Sequence, residues 1–106
     1  MIQGTTPTFT FTIRQDTVNL DDALKVIVTI KQSTKRIDLT GDDISVNGRT
    51  VSLYLSQEQS LKLSPGRASV QINWTYPNPK GGSPRRASTK PKCFSVDEQF
   101  YERVIE

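Results

Sequence analysis

The sequence predicts an all-β fold, a single antiparallel β-sandwich of about seven strands with one or two helical turns. Apolar and polar residues alternate with period two along most of the chain, as half-buried strands require. Turn-forming residues recur at intervals of about ten residues, and a length of 106 residues suits one domain with one core. An SH3-like or OB-type barrel is the rival architecture, because the same strands could close into a barrel.

The first three predicted strands carry their apolar residues on one face. In residues 8–13 one face holds phenylalanine and isoleucine, and the other face is threonine throughout. Residues 24–30 repeat this pattern, and residues 35–40 predict a short third strand. The inner residues of these strands are predicted to be Phe9, Phe11, Ile13, Leu24, Val26, Val28, Ile30, Ile37 and Leu39.

The pair Asn47-Gly48 predicts a β-hairpin. Asparagine and glycine both adopt positive φ, which the two loop residues of a type I′ turn require. With this pair as the loop, Val46 would lie opposite Arg49, and the apolar residues of both strands would face the core.

Two segments fit the capping box that starts a helix. Ser56 followed by Gln59 predicts one helical turn between strands, and Ser95 followed by Glu98 predicts a second turn near the end of the sequence. Between them lies the strongest predicted strand, and a last strand follows after a long connection. The inner residues of these two strands are predicted to be Val70, Ile72, Trp74, Tyr76, Phe94 and Val96.

The composition argues against catalysis. The chain has no histidine, which is the commonest general base and metal ligand, and its one cysteine excludes an intrachain disulfide. Cys93 is interpreted as a small, half-buried side chain of a strand. The aspartate pairs at 21–22 and 42–43 match no calcium loop and are interpreted as cap and turn residues. We therefore expect a protein that is not an enzyme and has neither a cofactor nor a metal site.

Residues 77–92, PNPKGGSPRRASTKPK, are predicted to form an extended basic loop between the last two strands. A cluster of cations is what phosphate binding requires, and the candidate polyanion contacts are Lys80, Arg85, Arg86, Lys90 and Lys92. Trp74 is predicted to face the core, so the cluster has no aromatic neighbour on which bases could stack. The leading interpretation is a solvated, mobile hairpin tip or a docking arm for an acidic neighbour.

Two terminal segments are candidates for contacts with other chains. Residues 100–106 form an apolar tail that is too short to hold a helix alone in water. The extended amino-terminal segment is suited to pairing with another chain by strand addition. The candidate interface residues are Ile2, Thr5, Thr6, Pro7, Phe100, Tyr101, Val104 and Ile105. Ordinary edge strands of a monomer are the competing interpretation.

The charge and the first residues bear on location. The formal net charge is +3, which indicates a soluble chain with weak attraction for anionic surfaces. The amino terminus lacks the basic start and apolar run of a signal peptide, and no apolar stretch approaches the roughly 20 residues that span a bilayer. We expect the protein in the cytoplasm of the cell that makes it.

Four segments carry a resemblance to a known group of proteins. They are MIQGTTPTFTFTI at 1–13, LTGDDISVNGRTVSLYLSQEQSLKL at 39–63, ASVQINW at 68–74 and the final ERVIE. Together they resemble small proteins encoded among the tail and structural genes of phages and prophages of Gram-positive bacteria. The chain is also similar to the Ig-like β-sandwich domain at the start of upper baseplate proteins. The amino-terminal segment and the Ser56-Gln57-Glu58 turn are the most specific parts of the resemblance.

The resemblance implies a structural component of a virion or prophage, without catalytic residues. The implied partners are other phage structural proteins or a second copy of this chain, and the implied location is the host cytoplasm during assembly and then the virion. Residues 77–92 exceed the corresponding connection in that group. The alternatives are a nucleic-acid-binding accessory protein that uses residues 80–92, and a carbohydrate-binding sandwich that presents Tyr54 and Tyr76.

Overall fold

In the computed structural model, which describes residues 1–13 and 19–98, two antiparallel β-sheets pack face to face. The all-β sandwich predicted from the sequence is therefore confirmed, with eight strands in place of about seven. The strands are β1 (Thr8–Thr12), β2 (Lys25–Gln32), β3 (Lys35–Leu39), β4 (Ile44–Asn47), β5 (Thr50–Tyr54), β6 (Gly66–Tyr76), β7 (Arg85–Ser88) and β8 (Lys92–Val96). The helical elements are α1 (Gln57–Leu61) and two 3-10 turns, Leu20–Asp22 and Gly41–Asp43.

The two sheets differ in size. One has three strands in the order β1-β5-β4. The other has five strands, with β3, β2 and β6 side by side and both β7 and β8 on the far side of β6. Strand β7 pairs with residues 73–76 of β6, and β8 pairs with residues 66–70. The last two strands therefore form one interrupted edge along the length of β6.

The core lies between the sheets and is built from the alternating residues that the sequence predicts. Every second residue of β6 from Ala68 to Trp74 is buried, and the residues between them are half-buried on the outer face. The buried set is Ile13, Leu20, Val28, Ile30, Ile37, Leu39, Val51, Leu53, Leu55, Leu63, Ala68, Val70, Ile72, Trp74 and Val96. Phe9, Phe11 and Phe94 pack against this set and are partly buried.

Leu24 is an error in the predicted core, because its side chain is 58% exposed. Strand β2 begins one residue later, and the Leu24 N–H donates to the Thr75 carbonyl at 2.8 Å. The innermost pair near this end of the sheet is Val26 opposite Trp74. Leu24 lies beyond that pair, before the first residue of β2.

The hairpin between β4 and β5 forms, but its predicted register is wrong by one residue on each strand. Asn47 pairs with Thr50, so Gly48 and Arg49 are the loop residues. Glycine with positive φ at the first loop position is typical of a type II′ turn, and Gly48 has φ +60°. In this register Val46 lies opposite Val51 on the core face, while Arg49 leaves the ladder and its guanidinium donates to the Ile13 carbonyl at 3.3 Å.

The first predicted capping box is confirmed and the second is wrong. The Ser56 hydroxyl accepts from the Gln59 N–H at 3.1 Å, and the Gln59 side chain accepts from the Ser56 N–H at 2.9 Å. Ser95 instead belongs to β8, whose pairing with Arg67 holds it in extended conformation. Inter-strand hydrogen bonds thus override the local capping pattern there.

Residues 77–92 do not form one long loop, which corrects the prediction. Residues 77–84 connect two strands, residues 85–88 are β7, and Lys92 begins β8. The interruption at 89–91 is fixed to β6, because the Thr89 N–H donates to the Ile72 carbonyl at 2.9 Å and the Thr89 hydroxyl accepts from the Ile72 N–H at 3.0 Å. The backbone N–H and C=O groups on this side of β6 would otherwise lack partners, so they form hydrogen bonds with this segment.

Candidate functional site

The first three residues of the amino-terminal segment pair with the same chain. Ile2 forms a parallel bridge with Asp97, just after β8. The Gln3 N–H donates to the Asp97 carbonyl at 3.0 Å, and the Asp97 N–H donates to the Met1 carbonyl at 2.6 Å. The outer edge of β8 is therefore covered at this end by residues 1–3.

Two further contacts anchor this segment beneath α1. The buried Gln3 side chain donates from Nε2 to the Leu63 carbonyl at 2.7 Å, and the Gly4 N–H donates to the Ser60 hydroxyl at 2.8 Å. Ser60 itself is fully buried. These contacts make the segment a part of the domain.

The candidate interface residues thus have different positions. Ile2 is 48% exposed and Thr6 is exposed, whereas Thr5 and Pro7 are partly covered. Phe100, Tyr101, Val104 and Ile105 lie outside the described residues, as does the predicted tail of residues 100–106.

One side of the sandwich is open between two strand edges. Strand β1 is the edge of the three-stranded sheet, and β7 with β8 is the edge of the five-stranded sheet. Between these edges lies a groove with a cavity of about 700 Å³. We call it the edge groove; it is lined by Thr10, Phe11, Thr12, Ile13, Val70, Ile72, Trp74, Ser88, Thr89, Lys90, Pro91 and Lys92.

The edge groove has an apolar floor and a cationic rim. Its floor consists of β6 residues whose side chains belong to the core, and Trp74 is 8% exposed. Lys92 lies on the inner side of β8, since it pairs with Val70. Its Nζ is 5.7 Å from the centre of the Phe11 ring, within reach of a cation–π contact across the groove. Lys90 is exposed on the same rim.

The five candidate polyanion residues do not form one cluster. Lys80 lies in the β6–β7 connection, and Lys90 and Lys92 lie on the rim of the edge groove. Arg85 pairs with Tyr76 and lies on the inner side of β7, whereas Arg86 lies on the outer side and donates to the Asn73 side chain at 3.0 Å. The period-two alternation of a strand separates residues that the linear sequence brings together.

The outer face of the five-stranded sheet is cationic instead. Strand register places five cations and one carboxylate on this face, which we call the cationic face. The cations are Lys25, Lys31, Arg36, Arg67 and Arg86, all exposed, and the carboxylate is Asp38. The outer face of the three-stranded sheet carries hydroxyl and amide side chains with Tyr54 (45% exposed), and no charged residue of its three strands points outward.

The one carboxylate of the cationic face, that of Asp38, is ion-paired with a neighbouring arginine. The Arg36 guanidinium contacts Asp38 at 2.9 Å, and the Thr29 hydroxyl donates to the same carboxylate at 2.7 Å. The Arg36 hydrogen bond, with help from Thr29, holds the pKa of Asp38 below its ordinary value. The pKa of Arg36 is raised in turn by its hydrogen bond to Asp38. At neutral pH the face therefore remains net positive.

The acidic residues and the cysteine of the described chain lie apart from one another or in pairs. No group of three potential metal ligands comes together within residues 1–13 and 19–98. Asp21 accepts from the Gly48 N–H at 3.1 Å, and Asp22 accepts from Asn19, so this aspartate pair serves turns. Cys93 is exposed, not half-buried as expected, because it lies on the outer side of β8 with its Sγ 3.6 Å from the Ser69 hydroxyl.

No helix in the described part of the chain is long and apolar enough to cross a membrane. Comparisons with family models, with curated proteins and with solved structures found no match.

Sequence reasoning missed both the edge groove and the cationic face. The groove is lined by three segments that are distant in sequence, so only the packing of the sheets could reveal it. The cationic face had a detectable signal, because Lys25 and Arg36 occupy outward positions of predicted strands. The cations come together only through the pairing of strands around β6, and the sequence pattern does not determine which strands pair.

Proposed function

We propose that this chain is a structural component of a phage or prophage particle that acts as a protein–protein interaction module of the tail, baseplate or neck. The virion assignment rests on the resemblance of the segments at 1–13, 39–63 and 68–74. The interaction role rests on the open side of the sandwich, where two strand edges face each other across the edge groove. Unpaired strand edges beside an apolar groove are surfaces to which another chain adds by backbone hydrogen bonding.

The distribution of polar groups supports binding over chemistry. Seven exposed cations of the described residues lie on a sheet face or on the rim of the edge groove, and no group of three potential metal ligands comes together among those residues. A small sandwich with a covered amino terminus and one open side has the features of an assembly unit. The partner of such a unit would supply the missing strand.

The assignment to a particle is tested by location in the genome and by purification. We expect the genes flanking this coding sequence to encode capsid, tail or lysis proteins. We also expect the protein to copurify with particles through a density gradient after induction of the host. Flanking genes of unrelated metabolism, together with absence of the protein from purified particles, would refute the proposal.

The cationic face supports a second candidate function, binding to the phosphate backbone of nucleic acid. Phosphate contacts require clustered cations and no aromatic platform, which is what this face offers. The five cations, one of which is ion-paired with Asp38, would contact the phosphate backbone and would not distinguish base sequences. The site differs from the basic loop that the sequence suggested, since Arg86 belongs to it and Arg85 does not.

Adjacent arginines provide a matched pair for testing this candidate. Arg86→Gln should weaken binding to a duplex and lower the salt dependence by about one counterion, whereas Arg85→Gln should change neither. Lys31→Gln should resemble Arg86→Gln. Titrations by fluorescence anisotropy at ~0.05 M salt measure this, since phosphate-driven binding is strong at low ionic strength. An absence of binding there excludes the function, and equal effects of both arginine variants exclude the cationic face.

A further inference from the structure

The open side of the sandwich is closed at one end only. Residues 1–3 pair with the outer edge of the chain at Ser95–Asp97, and the chain then crosses to the other sheet as β1. Beyond that crossing, no described strand lies between β1 and the β7–β8 edge. The edge groove occupies this interval, beside Thr10–Ile13 on one side and residues 88–92 on the other.

The β1 edge offers backbone groups for a further strand. The Ile13 N–H donates to the Arg49 carbonyl at 2.9 Å and the Leu55 N–H donates to the Pro7 carbonyl at 3.4 Å, so the odd-numbered residues of this region bond to β5. In an antiparallel ladder the intervening residues direct their N–H and C=O groups to the other side. Those of Thr10 and Thr12 therefore point away from β5, toward the edge groove.

The rim of the edge groove is positively charged and therefore favours an occupant with negative charge. Lys90 and Lys92 are its only charged lining residues in the described chain, and no acidic side chain lines it. An occupant would have to place apolar side chains over Phe11 and the β6 floor and carboxylates beside the two lysines. Such a segment exists in this chain after Glu98.

We propose that residues 99–106 of a second copy of this chain bind in the edge groove and extend the three-stranded sheet beside β1. This segment contains four large apolar residues and two glutamates, and residues 93–106 carry four acids against one arginine. Its charge is therefore opposite to that of the rim. The inference concerns self-association and stands without the virion assignment.

The geometry favours the segment of a second copy over that of the same chain. Strand β8 runs away from the groove, from Lys92 opposite Val70 to Val96 opposite Gly66. Returning from Glu98 to the level of Lys92 would use six residues, about 20 Å, whereas eight extended residues reach only about 26 Å. A returning segment would leave at most two residues for the groove. A second copy can approach along the groove without this constraint.

Binding of this kind is head-to-tail. The segment of one copy occupies the groove of the next, so the two contacting surfaces differ and each copy keeps one of each. Such contacts give open chains or closed rings.

Complementation between two variants tests the proposal. One variant ends at Glu98 and retains the groove, and the other carries Lys90→Glu and Lys92→Glu and retains the segment. We expect the unchanged chain to show mass rising with concentration in light scattering coupled to gel filtration, and each variant alone to be monomeric. An equimolar mixture should give dimers and nothing larger, because only one groove and one segment remain competent.

A synthetic peptide of residues 97–106 provides a direct probe. Labelled peptide should bind the truncated chain, bind at least tenfold more weakly after Lys90→Glu and Lys92→Glu, and weaken as salt rises from ~0.05 to ~0.3 M. Lys80→Glu is the matched control, since Lys80 is exposed and does not line the groove. It should leave peptide binding unchanged.

Three results would overturn the proposal. A monomeric unchanged chain whose truncated form also fails to bind the peptide excludes any pairing of groove and segment. Peptide binding to the truncated chain but not to a monomeric full chain assigns the groove to the segment of the same copy. If Lys80→Glu weakens peptide binding as much as Lys90→Glu with Lys92→Glu does, the attraction comes from the overall charge of the chain and not from the groove. Circular dichroism of each variant confirms that it is folded.

Discussion

At the β4–β5 turn a single residue determines the conformation of the loop. Gly48 has φ +60°, and its carbonyl accepts from the Leu20 N–H at 2.8 Å, so the turn also holds the 3-10 turn that precedes β2. A Cβ at this position would meet no atom within 4 Å. The requirement for glycine is therefore conformational and not steric.

We expect Gly48→Ala to lower the free energy of unfolding by about 1–2 kcal/mol, because an L-residue is strained in the left-handed region. Asn47→Ala is the control, since Asn47 lies in β4 and pairs with Thr50. It should change stability by less than about 0.5 kcal/mol. Urea denaturation followed by tryptophan fluorescence measures both. A larger loss for Asn47→Ala would restore the type I′ turn with Asn47 as a loop residue.

Among the elements, the five-residue helix α1 holds the amino-terminal segment in place. A helix of this length is not stable alone in water. The capping box at Ser56 and Gln59 satisfies its first N–H groups, and Ser60 on its buried side accepts from the Gly4 N–H. The helix therefore connects the end of β5 to the amino-terminal segment that covers the β8 edge.

We expect Ser56→Ala to cost about 1 kcal/mol of stability and Ser56→Asp to cost little, because aspartate also accepts at an N-cap. Ser45→Ala, on the exposed face of β4, is the matched serine control. Thermal and urea unfolding of the three variants provide the measurement. If Ser56→Ala and Ser45→Ala were equally harmless, the cap would contribute nothing to the folded state.

At the scale of the whole molecule, the sandwich is asymmetric in charge and in closure. One outer face is cationic, and the other carries no charged residue on its strands. One end of the open side is closed by residues 1–3, and the remainder is the edge groove. The proposed partner binding and the closure of the domain thus involve the same pair of strand edges in different places.

Deleting residues 1–4 should destabilise the domain by roughly 3–5 kcal/mol, because the five hydrogen bonds from these residues to Ser60, Leu63, Ser95 and Asp97 are lost, each worth about 1 kcal/mol net. It should also uncover the Leu63 carbonyl and the end of β8, and so promote association through that edge. Ile2→Ser is the control for simple loss of apolar surface, since the Ile2 side chain is half exposed. Urea unfolding with gel filtration measures both effects. Unchanged stability after the deletion would mean that the segment is not part of the fold.

Much of the fold could be predicted because strand alternation is a local property. The inward residues of β1 and β6, the capping box of α1 and the existence of the β4–β5 hairpin follow from neighbouring residues. The hairpin register was missed because Gly48 suits both the second position of an Asn-Gly type I′ loop and the first position of a type II′ loop, and the cross-strand pairing of Val46 with Val51 selects the second. Strand β7 was missed because Pro, Gly and Arg give a loop composition, whereas β6 supplies the unpaired partner.

The sequence by itself determined the all-β class, most of the inward residues of the predicted strands and the absence of histidine, since these depend on composition and on period-two patterning. Only the tertiary structure showed which strands pair with one another and which face of each strand is buried. The pairing of β7 with β6 places Arg85 on the inner face and Arg86 on the outer face, where it joins the other cations of the cationic face. The packing of the two sheets leaves the edge groove between β1 and β7–β8. These features depend on pairing between residues far apart in the chain, and such pairing is fixed by the packing of the two sheets as a whole.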